Sequence, residues 1–127
     1  MLLSDHRAYP TIPAADIGRA KAWYKDKLGL VPTEENPFGV IYRMADGTRF
    51  QLYPSQFAGT AQNTAMGFSS RDVVSDMKKL RERGVKFEEY NMPELKTENG
   101  MATMGSYHGA WFKDSEGNIL AIGDEPN

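Results

Sequence analysis

Two neighbouring stretches decide the fold: Ile12-Pro13-Ala14-Ala15-Asp16-Ile17 and Trp23-Tyr24-Lys25-Asp26-Lys27-Leu28-Gly29-Leu30. Asp16 has the chemistry of an N-cap, a short side-chain oxygen that accepts the free N–H groups of a first helical turn. Ile17, Ala20, Tyr24 and Leu28 follow at helical spacing and make one apolar stripe. Lys25 and Lys27 sit late, where cations suit the macrodipole, and Gly29 supplies a left-handed stop. A helix is therefore expected over 17–28, entered from a strand within 8–15. Pro10 and Pro13 make that strand an edge or irregular one, because proline has no N–H to give a ladder.

Working outward, Leu30–Thr33 reads as a short strand and Phe38–Met44 as an apolar, aromatic one. Asp46-Gly47 is a hairpin signal. Arg49–Tyr53 alternates, with Phe50 and Leu52 on one face and Arg49, Gln51 and Tyr53 on the other. A run rich in Ser, Gly, Thr and Gln follows as a linker. The pattern then recurs. Thr64–Ser70 reads as a strand, and Asp72 as a second N-cap. Val73, Met77 and Leu80 make the second stripe, and Gly84 stops it. Val85–Glu89 is a strand candidate. Residues 90–106 read as a long loop carrying Met92, Met101 and Met104, either mobile or an adaptable lid. Tyr107–Lys113 and Ile119–Ile122 are strands around the turn Asp114-Ser115-Glu116-Gly117-Asn118.

The reading is strand–helix–strand–strand–strand, twice, an α+β architecture. Ile12 precedes Asp16 by the same interval as Phe68 precedes Asp72, and Gly47 and Gly117 each open a last strand. This near-symmetry indicates duplication and a pseudo-twofold axis. The chain of 127 residues suits one domain, 1–127, with module one at about 8–54, a linker at about 55–62 and module two at about 63–123.

Composition narrows the function classes. The chain is 40% hydrophobic and 25% charged, with a net charge of −2 and no cysteine. Disulfides, thiolate metal ligands and a cysteine nucleophile are therefore absent. The basic run Lys78, Lys79, Arg81 and Arg83 reads as the solvated end of the second helix, so no nucleic-acid footprint is expected. No apolar run reaches the roughly 18 residues of a membrane-span candidate. Met1–Asp5 lacks the basic and apolar regions of a secretory signal, which makes a cytoplasmic location the default expectation.

Together, Ile12–Ile17, Trp23–Leu30 and the run Ala110-Trp111-Phe112-Lys113-Asp114-Ser115-Glu116-Gly117-Asn118-Ile119-Leu120 resemble the vicinal oxygen chelate superfamily of glyoxalases, bleomycin resistance proteins and extradiol dioxygenases. Ser115 stands where that family often has proline. The resemblance spans essentially the whole chain. It implies two βαβββ modules forming half-barrels around a small-molecule cavity, closed within one chain or across a homodimer.

The family's enzymes hold a divalent metal at matched places on the first and last strands of each module. The resemblance carries those places to Tyr9, Gln51, Ala65 and Ala121. Alanine has no donor atom, and neutral oxygens alone bind divalent cations poorly. No metal and no cofactor are therefore expected. His6 falls on the opposite strand face from Tyr9, and His108 lies outside the four matched places.

Metal-free members that this chain resembles are mostly binders. The expected ligand is a small aromatic or amphipathic molecule. Alternation turns Tyr9, Thr11, Gln51, Tyr53, Ala65, Gly67 and Ala121 towards the cavity. Tyr9, Tyr53, Tyr107 and Trp111 are candidate flat walls with polar tips, and Thr11, Gln51 and His108 candidate hydrogen-bonding groups. Two alternatives stand beside this reading. One is an enzyme: a metal-dependent lyase or dioxygenase, or a metal-free enzyme using Tyr9, His108, Glu94 or Glu98 as acid or base. The other is a dimerisation scaffold with a vestigial cavity.

Overall fold

The computed structural model describes residues 2–125. Met1, Pro126 and Asn127, counted in the single-domain reading, lie outside the described residues. Module one runs β1 (Thr11–Ala14), α1 (Ile17–Leu28), β2 (Glu34–Asn36), β3 (Gly39–Arg43) and β4 (Arg49–Pro54). Module two runs β5 (Thr64–Ser70), α2 (Val73–Glu82), β6 (Asn91–Met92), β7 (Leu95–Glu98), β8 (Met101–Met104), β9 (Tyr107–Lys113) and β10 (Ile119–Asp124).

Both helices start and stop where their caps dictate. Asp16 accepts from the backbone N–H of Arg19, and Gly29 closes α1 in the left-handed region at φ 70°. Asp72 accepts from the N–H of Ser75, and Gly84, at φ 91°, follows the last turn of α2.

The sheets repeat one topology, in the orders β1-β4-β3-β2 and β5-β10-β9-β8-β7-β6. In each, the first strand pairs parallel with the last. The duplication holds to the residue: Thr11 lies opposite Gln51, and Gly67 opposite Ala121.

The structure differs from the sequence reading at three places. Leu30–Thr33 is not a strand; the exposed, polar Glu34–Asn36 pairs with β3 instead. Here position beside β3, not hydrophobicity, selects the strand. Val85–Glu89 reduces to a single bridge between Phe87 and Phe112. Within 90–106, β6, β7 and β8 extend the second sheet, so the segment is a meander and not a loop. Asn99 and Gly100 turn β7 into β8, both at positive φ, as a two-residue hairpin requires. Glu89 Oε1 pins the turn by accepting from Thr97 Oγ1 at 2.6 Å and Gly100 N at 2.7 Å. A Cβ at Gly100 would lie 2.7 Å from Phe87 Cβ, so only glycine fits there. Met101 packs on the core, while Met92 and Met104 remain exposed.

The larger of two buried clusters draws on both modules. Ile12, Tyr24, Tyr42, Phe50 and Leu52 of module one cluster with Met66, Phe112 and Leu120 of module two. Each helix lies on the face of its sheet that carries these residues. Trp23 of α1 stacks on Phe112 of β9, which joins the halves directly.

The β9–β10 turn adds a polar clamp. Asp114 Oδ2 accepts from Tyr24 Oη at 2.7 Å and Asn118 Nδ2 at 2.9 Å. Asp114 Oδ1 accepts from the backbone N–H groups of Glu116 and Asn118. Glu116 accepts from Arg19 Nε at 2.8 Å, Arg19 Nη2 at 3.0 Å and the N–H of Asp16 at 2.9 Å. The Arg19 bonds hold the Glu116 carboxyl down at a pKa of about 2. Burial and the neighbouring Asp114 push the Tyr24 phenol upward.

Candidate functional site

Strand alternation leaves each sheet with a second face turned away from the shared core. On the first sheet this face carries Thr11, Ile41, Arg49, Gln51 and Tyr53, while Ile12, Tyr42, Phe50 and Leu52 point into the core. Tyr9 sits at the approach to β1, beside Arg49. The guanidinium of Arg49 lies over the Tyr9 ring, 4.8 Å from its centroid. Tyr9, Asn36, Phe38, Ile41, Arg49 and Gln51 line a hollow of about 190 Å³. All of them belong to module one. The backbone fixes the hollow's floor, for Gln51 N donates to Pro10 O at 3.0 Å.

On the second sheet the corresponding face carries Ala65, Gly67, Ala121, Gly109, Trp111 and Tyr107. Its floor is of small residues: Ala65 and Gly67 are exposed and Ala121 half-buried. Trp111 is the wall. It lies beside Ala121 in the ladder and meets Tyr90 edge-on, with centroids 5.6 Å apart. The indole passes over Gly109, where a Cβ would stand 3.6 Å from its ring. Burial raises the Tyr90 phenol's pKa, with help from Glu88.

The structure thus gathers Tyr9, Thr11, Gln51 and Tyr53 on one open face and Tyr107 and Trp111 on the other. His108 falls on neither. Its neighbours at alternate positions, Ala110 and Phe112, are core residues, so period two turns His108 to the helix-bearing side. There Asp124 Oδ2 lies 3.0 Å from His108 Nδ1 and also accepts the His108 backbone N–H at 2.7 Å. This is the orienting partner that acid–base work needs, but it stands on the side of the sheet away from Trp111 and Ala121.

Sequence reading left Arg49 and Tyr90, which shape these faces, out of the candidate site, and with them Asp124, which holds His108 on the helix-bearing side. Arg49 shares the alternation that exposed Gln51 and Tyr53, so its signal was present. Tyr90 and Asp124 depend on strand register and had none.

The metal positions implied by the resemblance are Tyr9, Gln51, Ala65 and Ala121. The register brings Thr11 and Gly67 alongside, which adds a hydroxyl and nothing else. Two methyl side chains, a phenol, an amide and a hydroxyl do not fit a divalent cation, which wants carboxylate or imidazole. Among the described residues, no three His, Cys, Asp or Glu side chains come together in a way that would hold a metal ion. Among the described residues, no helix is long and apolar enough to cross a membrane.

Two modules on one βαβββ plan, the second with two added strands, and an open face on each sheet define a class, and comparison with known proteins agrees. Residues 5–122 match the model of the Glyoxalase/Bleomycin resistance protein/Dioxygenase superfamily, and the chain belongs to that family. Its fold is glyoxalase-like. Among solved structures, a bleomycin-binding protein complexed with bleomycin superposes with a TM-score of 0.71 at 15% identity, covering 95% of this chain and 99% of that one. A glyoxalase/bleomycin resistance protein from Catenulispora acidiphila gives 0.66 at 22% identity, covering 94% and 98%. A lactoylglutathione lyase from Agrobacterium tumefaciens gives 0.66 at 17% identity, covering 94% and 92%. A comparison with curated protein sequences found no match.

Proposed function

We propose that this protein is a metal-independent small-molecule binder, sequestering or sensing an aromatic or amphipathic compound. One observation carries the reading: the places that hold metal ligands in the family's enzymes bear Tyr9, Gln51, Ala65 and Ala121, on sheets whose register matches between modules. Small residues at two of those places leave room where a metal would sit. Tyr9, Tyr53 and Trp111 supply flat apolar surface, and Thr11 and Gln51 supply a few orienting hydrogen bonds. The neighbour solved with bleomycin is a precedent for binding on this fold.

The hollow on the first sheet, about 190 Å³, is smaller than the roughly 300–1,000 Å³ of an ordinary ligand pocket. It makes sense as half a site. The second wall is the open face of module two in another copy, which makes the working unit a homodimer. Phe38, 77% exposed beside the hollow, is apolar surface that such pairing would cover.

Native mass spectrometry of protein purified without added metal, with a denatured control, tests the reading. The expected result is a metal-free dimer carrying a dissociable organic mass. A metal bound at near one per site overturns it and returns the chain to the metal-dependent lyases and dioxygenases.

A further inference from the structure

We infer that the open face of module one selects ligands carrying a planar oxyanion, with Arg49 as the anchor and an aromatic carboxylate as the fitting class. The inference rests on the small-molecule-binding reading and narrows it.

Arg49 is the observation. It stands on the ligand-facing side of β4, half-buried, and lines the hollow with Tyr9, Ile41 and Gln51. Its Nε is buried and has no hydrogen-bond partner among the described residues. Among the described residues no carboxylate comes within salt-bridge distance of it. Arg43, directly across the ladder, is different: its Nη2 lies 3.9 Å from Glu34 Oε1. Two arginines therefore sit side by side on one face, and only Arg49 lacks a counter-charge.

A half-buried guanidinium with an orphaned N–H is costly to keep unless something completes it. Tyr9 supplies part of the compensation by taking the cation over its ring. The planar guanidinium fork matches a planar oxyanion, which accepts two parallel N–H bonds. The rest of the hollow is apolar or neutral. Phe38 and Ile41 flank it, with the amides of Gln51 and Asn36 beside them. A carboxylate on an aromatic body meets all of these surfaces at once. A cationic ligand would meet Arg49 unscreened.

The test compares two probes of one shape, 2-naphthoate and 2-naphthamide, titrated into the full chain by calorimetry. In the wild type the acid should bind about tenfold or more tightly than the amide, and its affinity should fall as salt rises. Arg49→Gln should abolish the preference, bringing the acid's affinity to that of the amide in the same variant. Arg49→Lys, which keeps charge and stem but loses the fork, should keep a reduced preference. Arg43→Gln should leave it intact. Equal binding of acid and amide to the wild type overturns the anion inference and leaves small-molecule binding standing. Failure of both probes to bind overturns it too, and the co-purified mass seen by native mass spectrometry then judges the broader reading on its own. A preference that disappears equally in Arg43→Gln assigns the effect to general charge and overturns the role given to Arg49.

Discussion

The turn between β3 and β4 and the turn between β9 and β10 have one length and close on matched strand pairs. Arg43 faces Arg49 across the first, and Lys113 faces Ile119 across the second. Met44 N donates to Thr48 O at 2.7 Å, and Asp114 N donates to Asn118 O at 3.0 Å. The contents differ. The first turn is exposed at Ala45, Asp46, Gly47 and Thr48, and Asp46 sits at φ 61°. The second buries Asp114, Glu116 and Asn118. Asn118 Nδ2 reaches Pro13 O at 2.8 Å, and Glu116 holds Asp16 and Arg19. A turn of one length, used twice, is in one copy a plain reversal and in the other the clasp on the opposite module. Symmetry of fold therefore says nothing about symmetry of stabilisation.

Substitutions at matched positions sharpen that contrast. The largest effect is expected at Asp114→Asn, which turns an NH₂ towards two of four donors and should cost about 3 kcal/mol in urea unfolding. Glu116→Gln should cost about 2 kcal/mol through the weakened Arg19 fork. At the equivalent place in module one, Asp46→Asn should stay within about 0.5 kcal/mol, since asparagine also tolerates the left-handed region. Equal losses at positions 46 and 116 would dissolve the contrast.

Acid should expose the same asymmetry. Folding lowers the Glu116 pKa from the ordinary carboxylate value to about 2, chiefly through Arg19. A lowered folded pKa gives stability that is complete above the unfolded value. That stability drains away as pH falls from about 4.5 towards 2. The gap in thermal midpoint between wild type and Glu116→Gln should accordingly be widest near neutrality and close over that window.

Two buried phenols give a further matched contrast. Tyr24 Oη donates to Asp114, whereas Tyr42 Oη is buried without a partner. Tyr24→Phe should destabilise by about 1–1.5 kcal/mol, and Tyr42→Phe should be neutral or stabilise by up to about 1 kcal/mol. The Tyr42 phenol is also pushed up to about 12 by burial, then by Glu35, so ultraviolet titration should find it protonated past the range of exposed tyrosines.

The parts of this molecule that could be read from sequence are those set by neighbours along the chain. Asp16 with Gly29 and Asp72 with Gly84 mark both helices because a cap acts within one turn. Alternation in Arg49–Pro54 gives the right open face for the same reason. Asn99-Gly100 was a legible turn signal inside a segment whose polar composition suggested a loop. What could not be read is what strand register decides. The partner of His108 is Asp124, 16 residues on, and nothing along the chain connects them before β9 and β10 pair. His108 was expected as a hydrogen-bonding group of the cavity and Trp111 as one of its walls, yet period two sends them to opposite faces. Arg19 and Glu116, 97 positions apart, lie beyond any local rule.

The clasp has a consequence for how the chain reaches its structure. The first helix cannot satisfy Tyr24, Arg19 and the Asp16 N–H until residues 114–118 exist and have turned back across the molecule. During synthesis, module one leaves the ribosome with its main polar partners still untranslated. Its core side must wait half-finished through the whole of module two. The duplicated halves thus complete each other's hydrogen bonds, and contacts of such long span are the kind that cost most chain entropy to close.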